Sequence, residues 1–282
     1  MINTPQNNFK LRIAPWLTDA CTVFLNNFFK WYPSTVEQRL TALEFGGGNS
    51  TIFFLQKGVQ VVTAEGSTEF ANLLIDLAER LGYKAIMSNP QDYLQALDEE
   101  FDLLIILTGS VESVPKLIRS KEWTFLINDG ISRDLVLKEI IDFKVNSIVI
   151  LDNTEYCANW GRLDRTSAKP KFISIYRSFL RGNGWSRYIF EQPEGRDGRG
   201  VADSVGWESP HRWASAVAWL DTHILTKHIV TNLGFPLVNL LGVDDQDIET
   251  VEERCPYNWE KMEWVKEAFP PELNLELYRK YE

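Results

Sequence analysis

Cysteine and histidine are scarce, each present only three times among 282 residues. The cysteines, Cys21, Cys157 and Cys255, stand far apart and form no CxxC pair. That excludes a zinc knuckle and a disulfide framework, and three reduced thiols fit a cytoplasmic protein. His223 and His228 lie five residues apart, which is not the spacing of a metal pair on a helix. Long apolar runs are also lacking. Among the longest is Phe101 to Leu107, far too short to span a bilayer. Residues 1–12 are polar and lack the apolar stretch of a signal peptide. Positive charge is in deficit, 29 Lys and Arg against 39 Asp and Glu, a net charge of −10. Broad binding to nucleic acid or an anionic membrane needs the opposite balance.

Aromatic residues, by contrast, are plentiful. There are 10 tryptophans, five of them between Trp160 and Trp219. They fit either core packing and loop anchoring or an aromatic-lined substrate pocket. The length suits one large domain, or one domain with an appendage, and needs no disulfide or metal to hold its core.

From residue 38 to residue 153 apolar runs alternate with amphipathic stretches. Residues 15–31 have helical spacing and predict a helix packed on the sheet, ended by Pro33. Strands are predicted at 40–45, 59–66, 83–87, 101–107, 123–129 and 146–153. The segments 50–57, 68–81, 93–99, 114–119 and 134–143 predict the intervening helices. This alternation is the signature of an α/β fold, a Rossmann-like doubly wound and mostly parallel sheet. Continuous apolar strands mark a sheet buried on both faces. Beyond residue 153 the pattern changes to a helix at 172–180, a strand at 184–190, a Gly- and Arg-rich loop at 193–212 and a strand at 212–220. That order predicts an antiparallel edge pair after the parallel half.

The run Glu44-Phe45-Gly46-Gly47-Gly48-Asn49-Ser50-Thr51 lies between a predicted strand and a predicted helix. Glycines there permit a sharp turn and close approach of a ligand, which then faces the helix N-terminus. Glu65 ends the next strand, where a carboxylate can accept from both hydroxyls of a ribose. A dinucleotide fingerprint wants a third glycine at the position of Thr51, and an acid opening the turn, Glu44, suits a cationic ligand better than a pyrophosphate.

LEFGGGNST followed by VVTAEGS resembles motifs I and II of class I S-adenosylmethionine-dependent methyltransferases. The likeness covers roughly residues 38–153. It implies that Gly46 and Gly48 line the cofactor, that Glu44, Asn49 and Ser50 lie toward its methionine half, and that Glu65 binds the ribose. The chain then divides into an N-terminal helical segment (1–37), a cofactor-binding methyltransferase domain (38–222) and an extension of unassigned role (223–282), which either caps the sheet or forms a dimer contact.

Asp129 ends one predicted strand, and Asp152 and Asn153 end the next. In parallel sheets such ends converge on the ligand crevice. An oxygen-only set suits Mg²⁺ better than zinc, and the arrangement is similar to metal-dependent O-methyltransferases, which implies Asp129, Asp152 and Asn153 as ligands. Those families usually place Lys or His near the first Asp, whereas Gly130 to Arg133 contain neither. Loop capping by strand-end acids is the alternative. The set requires 123–129, and not 101–107, to be the fourth strand of the pattern. His211, beside the long loop, is a candidate general base with Asp129 as the other catalytic candidate. Arg196, Arg199 and Arg212 either grip an anionic substrate or are solvated. Tyr156 and Trp160 either wall the acceptor pocket or pack. The expected activity is methyl transfer to a small molecule, on oxygen before nitrogen. An NAD-type oxidoreductase and a non-catalytic binding module on the same fold are the rivals.

Overall fold

The computed structural model describes residues 17, 19–31, 39–108, 110–130, 133–152, 185–192 and 213–220. Six apolar runs become parallel strands: β1 (Thr41–Phe45), β2 (Gln60–Glu65), β3 (Ala85–Ser88), β4 (Leu103–Leu107), β5 (Phe125–Asn128) and β6 (Ile148–Asp152). Helices α2 (Asn49–Gln56), α3 (Thr68–Arg80), α4 (Tyr93–Leu97), α5 (Val114–Arg119) and α6 (Arg133–Phe143) connect them, and α1 (Asp19–Trp31) precedes β1. Two more strands, β7 (Trp185–Gln192) and β8 (Trp213–Leu220), follow. The sheet has eight strands in the order β3-β4-β2-β1-β5-β6-β8-β7, with β8 antiparallel to both β6 and β7. This is the Rossmann-like sheet with an antiparallel edge pair that the pattern predicts.

Period-two alternation divides the strands between two cores. Val61, Leu103, Ile105, Phe125, Ile127, Ile148 and Ile150 face one core with side chains of α1, α2 and α3. Val62, Leu104, Ile106, Leu126, Val149 and Leu151 face the other with α4, α5 and α6. Helix α1 thus lies on the sheet through Cys21, Phe24, Leu25 and Phe28, with Leu17 just before it in the same core. Trp185 and Trp219 are buried core residues.

Strand pairing shows which strand lies beside β1. Four of the five residues of β4 are fully buried, and the strand pairs with β2, Val61 opposite Leu103. Strand β3, only four residues long and partly exposed throughout, takes the sheet edge. Strand β5 pairs with the other side of β1, Glu44 opposite Ile127. Residues 123–129 therefore hold the fourth-strand position, and 101–107 the third. From β1 the chain moves first to β2 on one side and later to β5 on the other, so a crevice opens at the C-terminal ends of these strands.

Phe125 anchors this arrangement. It is fully buried, and its ring centroid lies 5.6 Å from those of Phe28 and Phe29 and 5.1 Å from that of Phe54. Phe125→Ala is expected to lower unfolding free energy by about 3–5 kcal/mol in urea titrations. A loss below about 1 kcal/mol would contradict this packing.

Candidate functional site

Each glycine of the turn after β1 has a different neighbourhood. Gly46 has φ +90°, and a Cβ there would lie 2.9 Å from the Asp129 carbonyl and the Gly130 Cα. Reciprocally, a Cβ on Gly130 would lie 2.9 Å from the Phe45 carbonyl carbon. The loops after β1 and β5 therefore touch backbone to backbone. Gly47 faces α3 and β2, where a Cβ would meet Leu74 at 3.0 Å and the Thr63 hydroxyl at 3.1 Å. Around Gly48 no atom lies within 4 Å of the corresponding position, so this glycine borders open space.

The N–H groups of the turn are already engaged. Gly46 donates to the Ala64 carbonyl at 3.0 Å. Gly47 donates to Glu65 Oε2 at 3.2 Å, and Gly48 to Thr51 Oγ1 at 2.9 Å. The other oxygen of Glu65 accepts from Ser67 N–H at 2.8 Å. Glu65 thus faces the glycine turn across the end of β2. Ser67 in turn caps α3 by accepting from Phe70 N–H.

Glu44 lies beneath the turn, fully buried. Ser50 Oγ donates to its Oε1 at 2.5 Å, and the Thr51 hydroxyl donates to its Oε2. Burial pushes this carboxyl up to about 8; the hydroxyls of Ser50 and Thr51 oppose the shift, the nearby Asp129 charge adds to it, and Thr63 opposes it. Asn49 and Ser50 open α2 and are themselves almost wholly buried.

Across the crevice Asp129 follows β5. Arg133, one helical turn on, donates from Nη2 to Asp129 Oδ1 at 2.6 Å and to the Asp129 carbonyl at 3.1 Å. Burial raises the Asp129 carboxyl, while the Arg133 charge and hydrogen bond and a hydrogen bond shared with Asp152 oppose the rise. Asp152, at the end of β6, is buried and accepts from Ser215 Oγ of β8 at 2.9 Å. The antiparallel strand β8 thus supplies a polar group to the crevice. Sequence reasoning did not name Ser215 or Arg133 as site residues. The signals were there: Ser215 is the one polar side chain in the run ASAVA, and Arg133 stands four residues after Asp129, one helical turn away.

The structure therefore brings Glu44, Gly46, Gly48, Asn49, Ser50, Glu65, Asp129 and Asp152 to one sheet edge. Asn153 and His211 lie outside the described residues, as do Tyr156, Trp160, Arg196, Arg199, Arg212 and the segments 172–180 and 223–282. The Mg²⁺ expectation is not supported. Among the described residues no group of three or more His, Cys, Asp or Glu is arranged to hold a metal. Arg133 supplies a cation to Asp129, and Asp152 accepts from Ser215.

The glycine geometry separates two substitutions. Gly46→Ala forces a Cβ onto backbone atoms at a positive φ and is expected to destabilise the chain by more than about 2 kcal/mol. Gly48→Ala meets no atom, has an extended φ of 172°, and is expected to change stability by less than about 1 kcal/mol. Equal losses in thermal unfolding would contradict this difference.

No family model matches the chain, and no curated protein matches it. Solved structures do. A mutant of MtNAS is 13% identical with a TM-score of 0.38, over 72% of this chain and 60% of that one. Cofactor-bound Rv0187 from MTB is 14% identical with a TM-score of 0.39, over 72% and 89%. A SAM-dependent methyltransferase from Agrobacterium tumefaciens is 12% identical with a TM-score of 0.38, over 70% and 61%. The chain thus spans about three fifths of the first and third of these proteins. Likenesses this distant carry no argument about activity. No helix among the described residues is long and apolar enough to cross a membrane. By its own strand order, parallel from β3 to β6 and closed by the antiparallel β8, the chain has a Rossmann-like α/β fold with an antiparallel edge pair.

Proposed function

We propose that this chain is an S-adenosylmethionine-dependent methyltransferase that acts on a small-molecule acceptor, with oxygen as the methylated atom. One observation carries the reading: the N–H groups of Gly46, Gly47 and Gly48 are all held internally, and one of their acceptors is the Glu65 carboxylate. A pyrophosphate needs free N–H donors at such a turn. A nucleoside carrying a sulfonium and an ammonium group has the opposite requirement. The open side of Gly48 supplies the close approach, and Glu65 stands where ribose hydroxyls would donate to it. Gly46, Asn49 and Ser50 complete the proposed binding set at the turn and the start of α2.

When bound, S-adenosylmethionine supplies an electrophilic methyl carbon. The residues of the chain hold donor and acceptor close and in line. Asp129 is the proposed catalytic residue of the described part. Its side chain is 22% exposed, oriented by Arg133, and raised by burial toward the range in which a carboxylate becomes a more effective base. It would accept the proton of the acceptor hydroxyl, with no step routed through a metal. His211 remains a proposed second base. Residues 38–222 are the proposed methyltransferase unit.

Calorimetry with the full chain tests the reading. S-adenosylmethionine and S-adenosylhomocysteine are expected to bind, NAD is not, and Mg²⁺ is expected to leave the heat unchanged. Glu65→Ala is expected to weaken binding by about tenfold or more, equivalent to about 1.4 kcal/mol. Asp129→Asn is expected to lower kcat by about a hundredfold while cofactor Kd stays within about threefold. Binding of NAD in place of S-adenosylmethionine would overturn the assignment. Cofactor binding without turnover of any hydroxylated acceptor would leave a binding module only.

A further inference from the structure

We propose that Glu44 is a positioning residue, a buried brace that sets the cofactor hollow through Ser50 and Thr51 without touching the ligand. The proposal rests on the S-adenosylmethionine reading of that hollow. Its basis is a continuous chain of hydrogen bonds. Glu44 belongs to the central strand β1 and has no exposed surface. Both of its carboxyl oxygens accept hydroxyls from consecutive residues of α2. The Thr51 hydroxyl also accepts the N–H of Gly48, the glycine whose open side borders the hollow. Strand, helix and turn are therefore tied at a single side chain.

Helix α2 has need of such a tie. Its N-cap is a glycine with no side chain of its own to offer, the N-cap N–H is held by Thr51 Oγ1, and its first turn contains no acidic residue. A helix start otherwise draws on these groups to satisfy and stabilise its N–H donors. Glu44 anchors the same turn from below, through two hydroxyls.

The groups facing Glu44 decide its charge. They are Ser50 and Thr51 from α2, Thr63 from β2 and Asp129 from the loop after β5. Asp129 is the charged member of this set and repels a second negative charge. Arg133, the nearby cation, is paired with Asp129. A buried carboxyl without a cation of its own keeps its proton. A neutral Glu44 is no counter-charge for a sulfonium; once protonated, one of its oxygens donates to its hydroxyl partner in place of accepting, as the NH2 of Gln would, so Gln, neutral and of the same shape, can replace it as a brace.

The consequence for stability has a definite sign. The Glu44 carboxyl is raised from 4.5 to about 8 in the folded chain. Between those values the folded form holds a proton that the unfolded form has released. The stabilising contribution is complete below about pH 4.5 and is lost as pH rises through about 8.

The full chain and its Glu44→Gln, Glu44→Ala, Thr51→Val and Glu44→Ala/Thr51→Val variants test the proposal, by calorimetry with S-adenosylmethionine and with the uncharged S-adenosylhomocysteine. Glu44→Gln is expected to bind both within about threefold of the original chain. Glu44→Ala and Thr51→Val are expected to lose about tenfold for both ligands alike, and the double variant no more than Glu44→Ala alone, because the two residues act as one unit. A Glu44→Gln loss of about tenfold for S-adenosylmethionine but not for S-adenosylhomocysteine would make Glu44 a direct counter-charge and overturn the brace. Thermal unfolding between about pH 5 and pH 9 supplies a ligand-free readout, in which the fall in stability due to Glu44 should vanish in Glu44→Gln. Identical pH slopes in the two proteins would overturn the proposal. If the original chain binds neither ligand, the proposed function fails, and the pH slopes alone then decide whether Glu44 is a neutral brace.

Discussion

The backbone contact between Gly46 and Gly130 is the constraint on which the site depends. Two loops leave neighbouring parallel strands, β1 and β5, and meet so closely that a single methyl group on either glycine would collide with the other loop. That approach places the floor of the crevice at a fixed height. It brings Glu44 and Asp129 near enough to influence each other's charge, and Asp129 within hydrogen-bonding reach of Asp152. The backbone contact fixes this spacing independently of the side chains, among which Asp129 and Asp152 share a hydrogen bond.

Acid accumulates in the crevice at an energetic cost, and the structure shows how that cost is reduced. Glu44 receives two hydroxyls, Asp152 one, and Glu65 two backbone N–H groups. Asp129 receives the guanidinium of Arg133. Among the partners that these carboxyls have in the described residues, Arg133 carries a positive charge. The acidic character of this edge agrees with the chain's net charge of −10.

Packing behind the turn supports this precision. Phe28, Phe29, Phe53, Phe54 and Phe125 form a set of mainly edge-to-face contacts between α1, α2 and β5. Aromatic edges and faces interlock with defined orientations, so α2 cannot slide along the sheet without breaking several of them. A helix start that must present Gly48 to a ligand gains its rigidity from the core beneath.

Much of this was legible in the residues. Apolar runs as short as FLI and LLIIL, separated by amphipathic helices, determined a parallel sheet, because a strand covered on both faces is apolar nearly throughout. The order glycine turn, then Glu65, placed both at the C-terminal ends of neighbouring strands. Tertiary structure decided the rest. Whether FDLLIIL or WTFLIND borders β1 is decided by strand order, with the first paired to β2 and the second to β1. Glu44 sits in the motif as an apparent ligand contact, but the fold turns it inward onto Ser50 and Thr51 and leaves Glu65 at the hollow. Ser215 reaches Asp152 from 63 residues away, and Arg133 settles on Asp129 as its counter-charge. Those pairings depend on how strands are ordered in space, and hydrophobic periodicity carries no record of that order.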